Sequence, residues 1–442
     1  MALASLRPLR RRSYALVWSA ALVSNVGSWM QTIAVGVLVT ARTGRSGWTG
    51  LVAAAAFLPI GLLSPIGGAL ADRVDRRRWL LATTVGETVF ATALAVAVGL
   101  GHAGPGLVTL LVFGGGAMAA VGFPAYQAML PDLVPQEELL AAVSLSSAQF
   151  NLGRVVGPAL AGVVIAGAGY AWAFAVNAAS FVAVILALLA VRLPPARPTE
   201  PAPLRRRLAE GARATAAEPA CRLAVALIAV VAVTASPFIA LVPAVAVKLF
   251  HSGSRGTAVL VTAQGVGAVV GALSLAPLAE RFGRRRVLVG ALFGVCAAMA
   301  GYAVAPALAV SAAAILLLGA FYIGVLSGLN TTIQLRAPAE MRGRVLGIYM
   351  MALGVLYPVG AVVQGWAGDR VGLRVVTLGG AAVLALVVVA RQPAVRAALA
   401  EPPRRGDVVT LPAAAPGDPR SPDPVGSGPP GPATPSSPST TR

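Results

Sequence analysis

Twelve apolar runs, each about as long as a bilayer is thick, constrain what this chain can fold into. They cover residues 13–41, 47–71, 79–100, 106–130, 143–167, 171–191, 221–249, 256–279, 287–304, 306–332, 344–367 and 373–390. About 20 apolar residues suffice for a helix to cross hydrocarbon, where backbone amides must find their hydrogen-bond partners within the chain. We therefore predict an all-α membrane protein with twelve transmembrane helices.

Composition agrees with this prediction. Of the 442 residues, 57% are hydrophobic and 12% are charged, whereas about 25% of the residues in a soluble domain are charged. The formal net charge of +19 comes mainly from arginines that flank the apolar runs, a pattern that orients membrane spans. We therefore expect the lipid bilayer, and not a nucleic acid, to be the partner of this basic chain.

The sequence lacks the residue patterns that a metal site, a disulfide framework or a nucleotide site requires. His102 and His251 are far apart, so we expect no metal site. Cys221 and Cys296 are too few for a disulfide framework and fit buried apolar positions. No phosphate-binding loop with a lysine is present, so ATP is not expected as the direct energy source. We predict no cofactor and no enzymatic activity.

The apolar runs fall into two groups of six. We predict a basic N-terminus (1–12), a first six-helix half (13–191), a linker (192–220), a second six-helix half (221–390) and a disordered tail (391–442). The linker is rich in proline and arginine, and we expect it to carry a short amphipathic helix on the membrane surface. Most arginines fall on the side of the membrane that holds both termini, which predicts cytoplasmic termini in the cell (inner) membrane.

A basic turn organises each half. In the first half it reads Gly67 to Arg78, GGALADRVDRRR, and in the second half a weaker copy runs from Leu278 to Arg286, LAERFGRRR. The loops after the fourth and tenth runs also resemble each other. Two parallel six-helix repeats are typical of secondary transporters, whose substrate site lies near the bilayer midplane between the repeats.

Three motifs resemble those of the major facilitator superfamily. The first turn fits G-x-x-x-D-R-x-[GD]-R-R-[RK]; the fifth run contains a glycine-proline motif; and Met341-Arg342-Gly343-Arg344 precedes the eleventh run. The resemblance covers about residues 8–390. The first run and the loop after it are similar to the macrolide-efflux and enterobactin-exporter branch of drug/proton antiporters.

The resemblance implies roles for two of these motifs. The basic turns would gate the transport cycle, through Gly68, Asp72, Arg73, Arg76, Arg77, Glu280, Arg281 and Arg284; the alternative is that their arginines only anchor the topology. The motif of Gly153, Gly157, Pro158 and Gly162 would bend the fifth helix and prevent leak. Close helix packing explains the same small residues.

Two charged residues lie well inside predicted helices. Glu87 is a candidate proton carrier, although the third helix usually lies outside the cavity in this fold; the alternative is a structural acid. Arg154 is a candidate for binding an anionic substrate, for pairing with Glu87, or for bracing helices within the first half. For both residues the sequence is compatible with a functional role and with a structural role.

The resemblance also implies that the first, fourth, seventh and tenth helices line the cavity. Ser24, Ser28 and Gln31 share one face of the first helix, and a neighbouring stripe carries Asn25, Trp29 and Thr32. The polar and aromatic candidates for cavity lining are Asn25, Gln31, Tyr126, Gln127, Thr234, Ser236, Phe238, Tyr322, Asn330 and Gln334. Hydrogen bonding between helices is the alternative for each of them.

These observations predict a secondary active transporter of the major facilitator fold. We expect it to export amphipathic small molecules, such as a drug, a macrolide or a siderophore, as a monomer that uses a proton gradient. An importer, a facilitator or a carrier of lipid-like cargo is the alternative within this fold. A non-transporting sensor or a membrane enzyme is the remote alternative.

Overall fold

The computed structural model describes residues 6–71, 74–191 and 204–398. Asp72 and Arg73 of the first basic turn lie outside the described residues, as do the first part of the predicted linker (192–203) and most of the predicted tail (399–442). The gating role expected for Asp72 and Arg73 therefore stays a prediction.

The first half of the chain forms six long helices. After a 3-10 turn at Arg7–Arg10 they are α1 (Arg12–Thr43), α2 (Ser46–Ala71), α3 (Arg76–Gly99), α4 (Pro105–Leu133), α5 (Leu139–Ala168) and α6 (Tyr170–Ala190). Two of the connections are very short. Gly44 after α1 and Gly169 between α5 and α6 have φ values of 64° and 88°, a left-handed conformation that glycine adopts without steric cost.

The rest of the described chain, from residue 204 to residue 398, forms nine further helices. They are α7 (Leu204–Ala217), α8 (Pro219–Thr234), α9 (Pro237–Lys248), α10 (Gly253–Phe282), α11 (Arg284–Val304), α12 (Leu308–Arg336), α13 (Arg342–Val371), α14 (Leu373–Ala390) and α15 (Gln392–Ala398). Together α8 and α9 form the seventh span. The helix is interrupted before Pro237, because proline has no amide hydrogen to continue the hydrogen-bond ladder.

Within the described residues, twelve helical segments are long and apolar enough to cross a membrane. The all-α fold with twelve spans is therefore confirmed, and the chain is a multi-pass membrane protein. An even number of spans leaves the start of α1 and the end of α14 on one side of the membrane. We call this side the terminus side and the opposite one the far side.

Two short helices lie outside the spans. The predicted amphipathic helix in the linker is α7, and it docks on the start of α13. Its Glu210 accepts a hydrogen bond from Arg206 at 2.8 Å and pairs with Arg344 at 2.6 Å, which holds the pKa of Glu210 below its ordinary value. The prediction of disorder from residue 391 onwards is wrong at its start, because α15 forms there and buries Val395 against α8.

Small residues allow helices within each half to pack closely. A Cβ atom on Gly67 of α2 would lie 2.5 Å from the carbonyl oxygen of Val121 in α4. In the second half, Gly267 and Gly271 of α10 lie against the backbone of α12. These glycines therefore occupy positions where a larger side chain would meet the backbone of the neighbouring helix.

The two halves meet through several pairs of helices, among them α2 with α9 and α1 with α10. Long stretches of α2 and α13 lie against each other, α5 contacts α10, and α1 contacts α9. Near the far side, a Cβ atom on Gly36 would lie 2.7 Å from Pro243 Cγ, and one on Gly162 would lie 3.6 Å from Ala258 Cβ. The largest buried apolar cluster contains residues from both halves, so their contact on this side is a continuous packed core.

Candidate functional site

A cavity of about 670 Å³ lies within the bundle and is bordered by helices from both halves. All six spans of the first half line it, and α9, α10 and α13 contribute from the second half. The lining reaches the terminus-side ends of α1, α3, α5 and α6, at Val17, Leu80, Val143 and Leu188. Most lining side chains are apolar, with a few polar groups among them, as is usual for small-molecule sites.

The polar stripe of α1 faces this cavity. Ser24, Asn25, Ser28, Trp29, Gln31 and Thr32 all line it, as the helical spacing predicts. Gln31 also takes part in hydrogen bonding between helices, because its Oε1 accepts a hydrogen bond from Asn177 Nδ2 of α6 at 2.9 Å. The face as a whole is therefore a cavity wall, while Gln31 also joins two helices.

The predicted residues of α4 line the cavity as well. Tyr126 and Gln127 both contribute to it. One buried polar atom at the cavity, Gln264 Nε2, makes no hydrogen bond within the described part of the chain. Buried polar atoms are normally paired, so this amide is an exception in the cavity wall.

The candidates from the seventh and tenth spans do not line this cavity, which corrects the prediction for Thr234, Ser236, Phe238, Tyr322, Asn330 and Gln334. Tyr322 is buried between helices, where its hydroxyl and that of Ser236 are 2.8 Å apart and its ring meets Phe238 edge-on. Asn330 and Gln334 hydrogen-bond to each other one turn apart. The reason is the close packing of α12 against α10 and α11, which leaves α9 to face the cavity instead.

Glu87 lies at the cavity even though it belongs to α3. The expectation that the third helix lies outside the cavity is therefore wrong here. Within the described residues Glu87 forms no ion pair and no hydrogen bond through its carboxyl group. The suggested pairing with Arg154 is absent, so Glu87 is a half-buried acid without a structural partner in the described part of the chain.

Arg154 of α5 points across the interface between the halves. Its Nη2 donates a hydrogen bond of 2.9 Å to Oε1 of Gln264 in α10. The guanidinium carbon lies 5.6 Å from the ring centroid of Trp29 in α1, and this ring meets Phe150 edge-on. Arg154 therefore joins α1, α5 and α10, and thus connects both halves of the molecule.

Arg76 and Arg77, in the described end of the first basic turn, bind groups of their own half. Arg76 Nη1 forms an ion pair with Asp132 at 3.0 Å at the end of α4. Arg77 donates hydrogen bonds of 2.6 and 2.7 Å to the carbonyl oxygens of Leu188 and Leu189 at the end of α6. These contacts brace the helix ends that surround the turn, a role beyond that of a topology anchor.

Asp75 stands at the [GD] position of the motif that the first basic turn resembles. Its carboxylate accepts a hydrogen bond of 2.8 Å from the backbone amide of Arg78 and so caps the start of α3. Aspartate is a preferred helix N-cap. Gly68 lies nearby on α2, where a Cβ atom would be 3.9 Å from Pro124 Cβ and would fit without strain.

The second basic turn is bound less tightly. Arg281 lies over the ring of its neighbour Phe282, 5.2 Å from the centroid. Glu280 and Arg284 are exposed and flank the junction of α10 and α11. In the described residues none of the three takes part in an ion pair, so the two turns are similar in sequence but differ in their contacts.

The glycine-proline motif of α5 packs the helix against its neighbours. A Cβ atom on Gly153 would lie 2.9 Å from Asn25 Cβ, and one on Gly157 would lie 2.6 Å from Trp29 Cβ and 3.0 Å from the amide nitrogen of Met30. Pro158 is buried in the same helix. Gly162 faces α10 of the other half, so the motif serves the contact within the first half and the contact between halves.

A cluster on the far side was not predicted from the sequence. Lys248, the only lysine of the chain, forms an ion pair of 2.9 Å with Asp369 at the end of α13 and donates a hydrogen bond of 3.1 Å to Ser46 Oγ. The Asp369 carboxylate also accepts hydrogen bonds from the backbone amides of Ser46, at 2.6 Å, and of Gly47, at 2.8 Å. We call Ser46, Gly47, Lys248 and Asp369 the far-side latch.

The latch joins the two halves by capping a helix. Asp369 belongs to the second half, and the amides it binds begin α2 of the first half. An acid at a helix N-terminus is stabilised by the unpaired amides and by the helix dipole. Arg45 adds to the contact, since its guanidinium lies 4.9 Å from the ring centroid of Trp366. The latch therefore closes the far side with charge as well as with packing.

Twelve spans in two six-helix halves around a central cavity define a transporter of the major facilitator superfamily. The sequence matches, over residues 3–402, the family described as "Transmembrane secretion effector". The match covers most of the chain, so the protein belongs to this family. It is a membrane transporter and not an enzyme.

Relatives in sequence carry export functions in their names. The multidrug efflux pump Tap of Mycolicibacterium fortuitum is 27% identical over 83% of this chain and 91% of its own length. The Tap pump of Mycobacterium tuberculosis (strain ATCC 25618 / H37Rv) is 29% identical over 81% of this chain and 88% of its own. The enterobactin exporter EntS of Citrobacter koseri is 27% identical, over 80% and 85%. The resemblance to the exporter branch of the superfamily is thereby confirmed.

Solved structures share the fold at low sequence identity. A bacterial homologue of the human lysosomal transporter Spinster, in an inward-facing and unoccupied conformation, aligns with a TM-score of 0.69 at 14% identity, over 88% of this chain and 98% of its own. The nucleoside transporter NupG aligns with a TM-score of 0.70 at 12% identity, over 87% and 99%. These similarities establish the major facilitator fold of the chain.

Proposed function

We propose that this protein exports amphipathic small molecules by alternating access, driven by proton influx. One observation best supports such a cycle. The cavity lies between the two halves, and the latch joins these halves on the far side. The named activities of the relatives favour export over import. A largely apolar wall with few polar groups suits amphipathic cargo.

The arginine distribution gives the proposed orientation. With both termini in the cytoplasm of the cell (inner) membrane, the closed far side is the outer side. The cavity, whose lining extends to the terminus-side helix ends, then receives cargo from the cytoplasm. Release requires the halves to rock until the Asp369 contacts and the Arg154–Gln264 hydrogen bond break. The gating role of the basic turns belongs to the opposite, outward-facing state.

Glu87 is the proposed proton-carrying group. It is the acidic residue of the cavity wall, and it has no structural partner in the described part of the chain. A carboxyl group that alternates between a closed cavity and water exchanges a proton more readily in one state than in the other. Proton binding and cargo release can be coupled through this group.

Transport into inside-out vesicles tests the proposal. A fluorescent amphipathic cation should accumulate in vesicles that contain the wild-type protein and an imposed pH gradient, and should leave when the gradient is collapsed. Glu87→Gln should abolish gradient-driven accumulation. Glu340→Gln, which removes an exposed acid at the terminus side, is the matched control and should behave as wild type.

Three results would contradict this account in different ways. Accumulation that survives Glu87→Gln would retain proton-coupled export and remove Glu87 from it. Accumulation without any dependence on the gradient would indicate a facilitator. Accumulation only in vesicles of the opposite orientation would indicate an importer.

A further inference from the structure

Arg154 brings a positive charge to the cavity wall without a carboxylate beside it. In the described part of the chain no acidic side chain forms an ion pair with it, and Glu87 on the same wall does not contact it. A buried guanidinium is costly unless an anion or several acceptors compensate it. Gln264 supplies one neutral acceptor, which leaves the charge of Arg154 uncompensated.

Gln264 presents a second donor at the same place. Its Oε1 already accepts the hydrogen bond from Arg154, and its side chain is buried, with 3% of the residue exposed. Its Nε2 has no hydrogen-bond partner within the described residues. An anionic oxygen placed between the two side chains would satisfy the guanidinium of Arg154 and the Nε2 of Gln264 together, with charge-assisted hydrogen bonds.

An aromatic surface adjoins these donors. The Trp29 ring lies 5.6 Å from the Arg154 guanidinium carbon and is supported by Phe150 at 5.8 Å between ring centroids. Both rings line the cavity. A planar ring system can stack on this surface, so the arrangement favours a ligand that carries an anionic oxygen beside a flat apolar group.

We propose that Arg154, Gln264 and Trp29 form a subsite for amphiphiles that carry a carboxylate on a planar ring system. The carboxylate binds Arg154 and Gln264, and the ring stacks on Trp29. This proposal rests on the proposed transport function and adds the class of substrate to it.

The subsite also lies where the halves must separate. Arg154 belongs to α5 and Gln264 to α10, so far-side opening removes the acceptor that Gln264 offers to Arg154. A bound carboxylate replaces that acceptor and stays with Arg154 as the helices part. The contact of the carboxylate with Arg154 is then kept in both forms, whereas its contact with Gln264 is made only while α5 and α10 lie together.

A pair of matched dyes tests the subsite directly. Rhodamine 110 carries a free carboxyl group on a xanthene dye, and rhodamine 123 is its methyl ester. Their binding to the purified full-length protein in lipid nanodiscs is measured by fluorescence anisotropy, with empty nanodiscs subtracted. The wild type should bind the free acid about tenfold more tightly than the ester, because one charge-assisted contact is gained.

Three variants assign this preference to the proposed residues. Arg154→Gln should bring the ratio of the two dissociation constants to about one. Gln264→Glu keeps the side chain size and places a carboxylate beside Arg154, so it should abolish or reverse the preference even if Arg154→Gln fails to fold. Arg255→Gln removes an exposed arginine at the start of α10 and should keep the wild-type ratio.

Equal binding of the two dyes, binding of neither, or a preference that survives both Arg154→Gln and Gln264→Glu would overturn the subsite. The vesicle experiment with the amphipathic cation is read separately. Export that persists without a carboxylate preference would retain the transport function and reject the subsite. A carboxylate preference without any transport in the vesicles would retain the subsite and reject export.

Discussion

Gly157 illustrates how the packing of α1 against α5 depends on single residues. The helices are tied by hydrogen bonds near the terminus side, where Tyr14 donates to the carbonyl oxygen of Ala142 at 2.8 Å. Deeper in the bundle they touch without such bonds, and Gly157 lets the backbones approach each other. The glycine-proline motif therefore allows α1 and α5 to pack closely in this state.

A one-atom change tests this packing. Gly157→Ala should lower the free energy of unfolding by about 1–3 kcal/mol, because its Cβ would overlap backbone and Trp29 atoms that cannot move easily. Gly162→Ala, in the same motif, is the control. Its Cβ would lie 3.6 Å from the nearest atom, so its effect should stay below about 0.5 kcal/mol. The thermal unfolding midpoint in detergent measures both, and equal effects would contradict the packing account.

Single residues also show what the sequence can and cannot predict. Glu87 and Arg154 stand out as charges inside apolar runs, so their importance is visible without a structure. The latch is not, because Lys248 and Asp369 are 121 residues apart and each lies at the end of a helix, where charges are common. Only the fold reveals that Asp369 meets the start of α2.

At the scale of elements, helix length and number follow from hydropathy, but helix contacts do not. The twelve spans are evident from runs of apolar residues. The division of the seventh span at Pro237 has a visible signal in that proline. The position of α12 has no such signal in the sequence, because its small residues are equally compatible with a helix that lines a cavity and with a helix that packs between its neighbours. The prediction for Tyr322, Asn330 and Gln334 failed for this reason.

The latch makes a prediction about how α2 and α13 separate. Asp369→Asn removes the charge that holds Lys248 and the α2 amides, so the far side should open more often. A cysteine placed at Ala53 on the cavity wall, in a chain whose Cys221 and Cys296 are changed to alanine, reports this opening. A membrane-impermeant maleimide added from the far side should label it about tenfold faster in Asp369→Asn, since a tenfold change corresponds to loss of one charge-assisted bond.

Arg370→Gln is the control for this measurement. It alters the neighbouring residue, whose side chain is exposed and donates only to Trp366 of its own helix turn. Its labelling rate should equal that of the unmodified latch. An unchanged rate in Asp369→Asn would mean that apolar packing alone keeps the far side closed.

The whole molecule combines two halves that are similar in sequence and unequal in their contacts. The first half binds the described end of its basic turn and supplies most of the cavity wall. The second half supplies Asp369, Lys248 and Gln264, the groups that reach across to the first half. These contacts close the far side of a carrier whose proposed cycle opens its two sides in turn.

Paired distance measurements on α5 and α10 follow the opening and closing of both sides in one experiment. Spin labels at Gly167 and Arg255 report the far side, and labels at Ser144 and Ser274 report the terminus side, each in the cysteine-free chain in nanodiscs. Double electron–electron resonance should give a short far-side distance in the protein alone. With an exported amphiphile and low pH, a longer far-side population should appear together with a shorter terminus-side one. Distances that change on only one side, or on neither, would contradict alternating access.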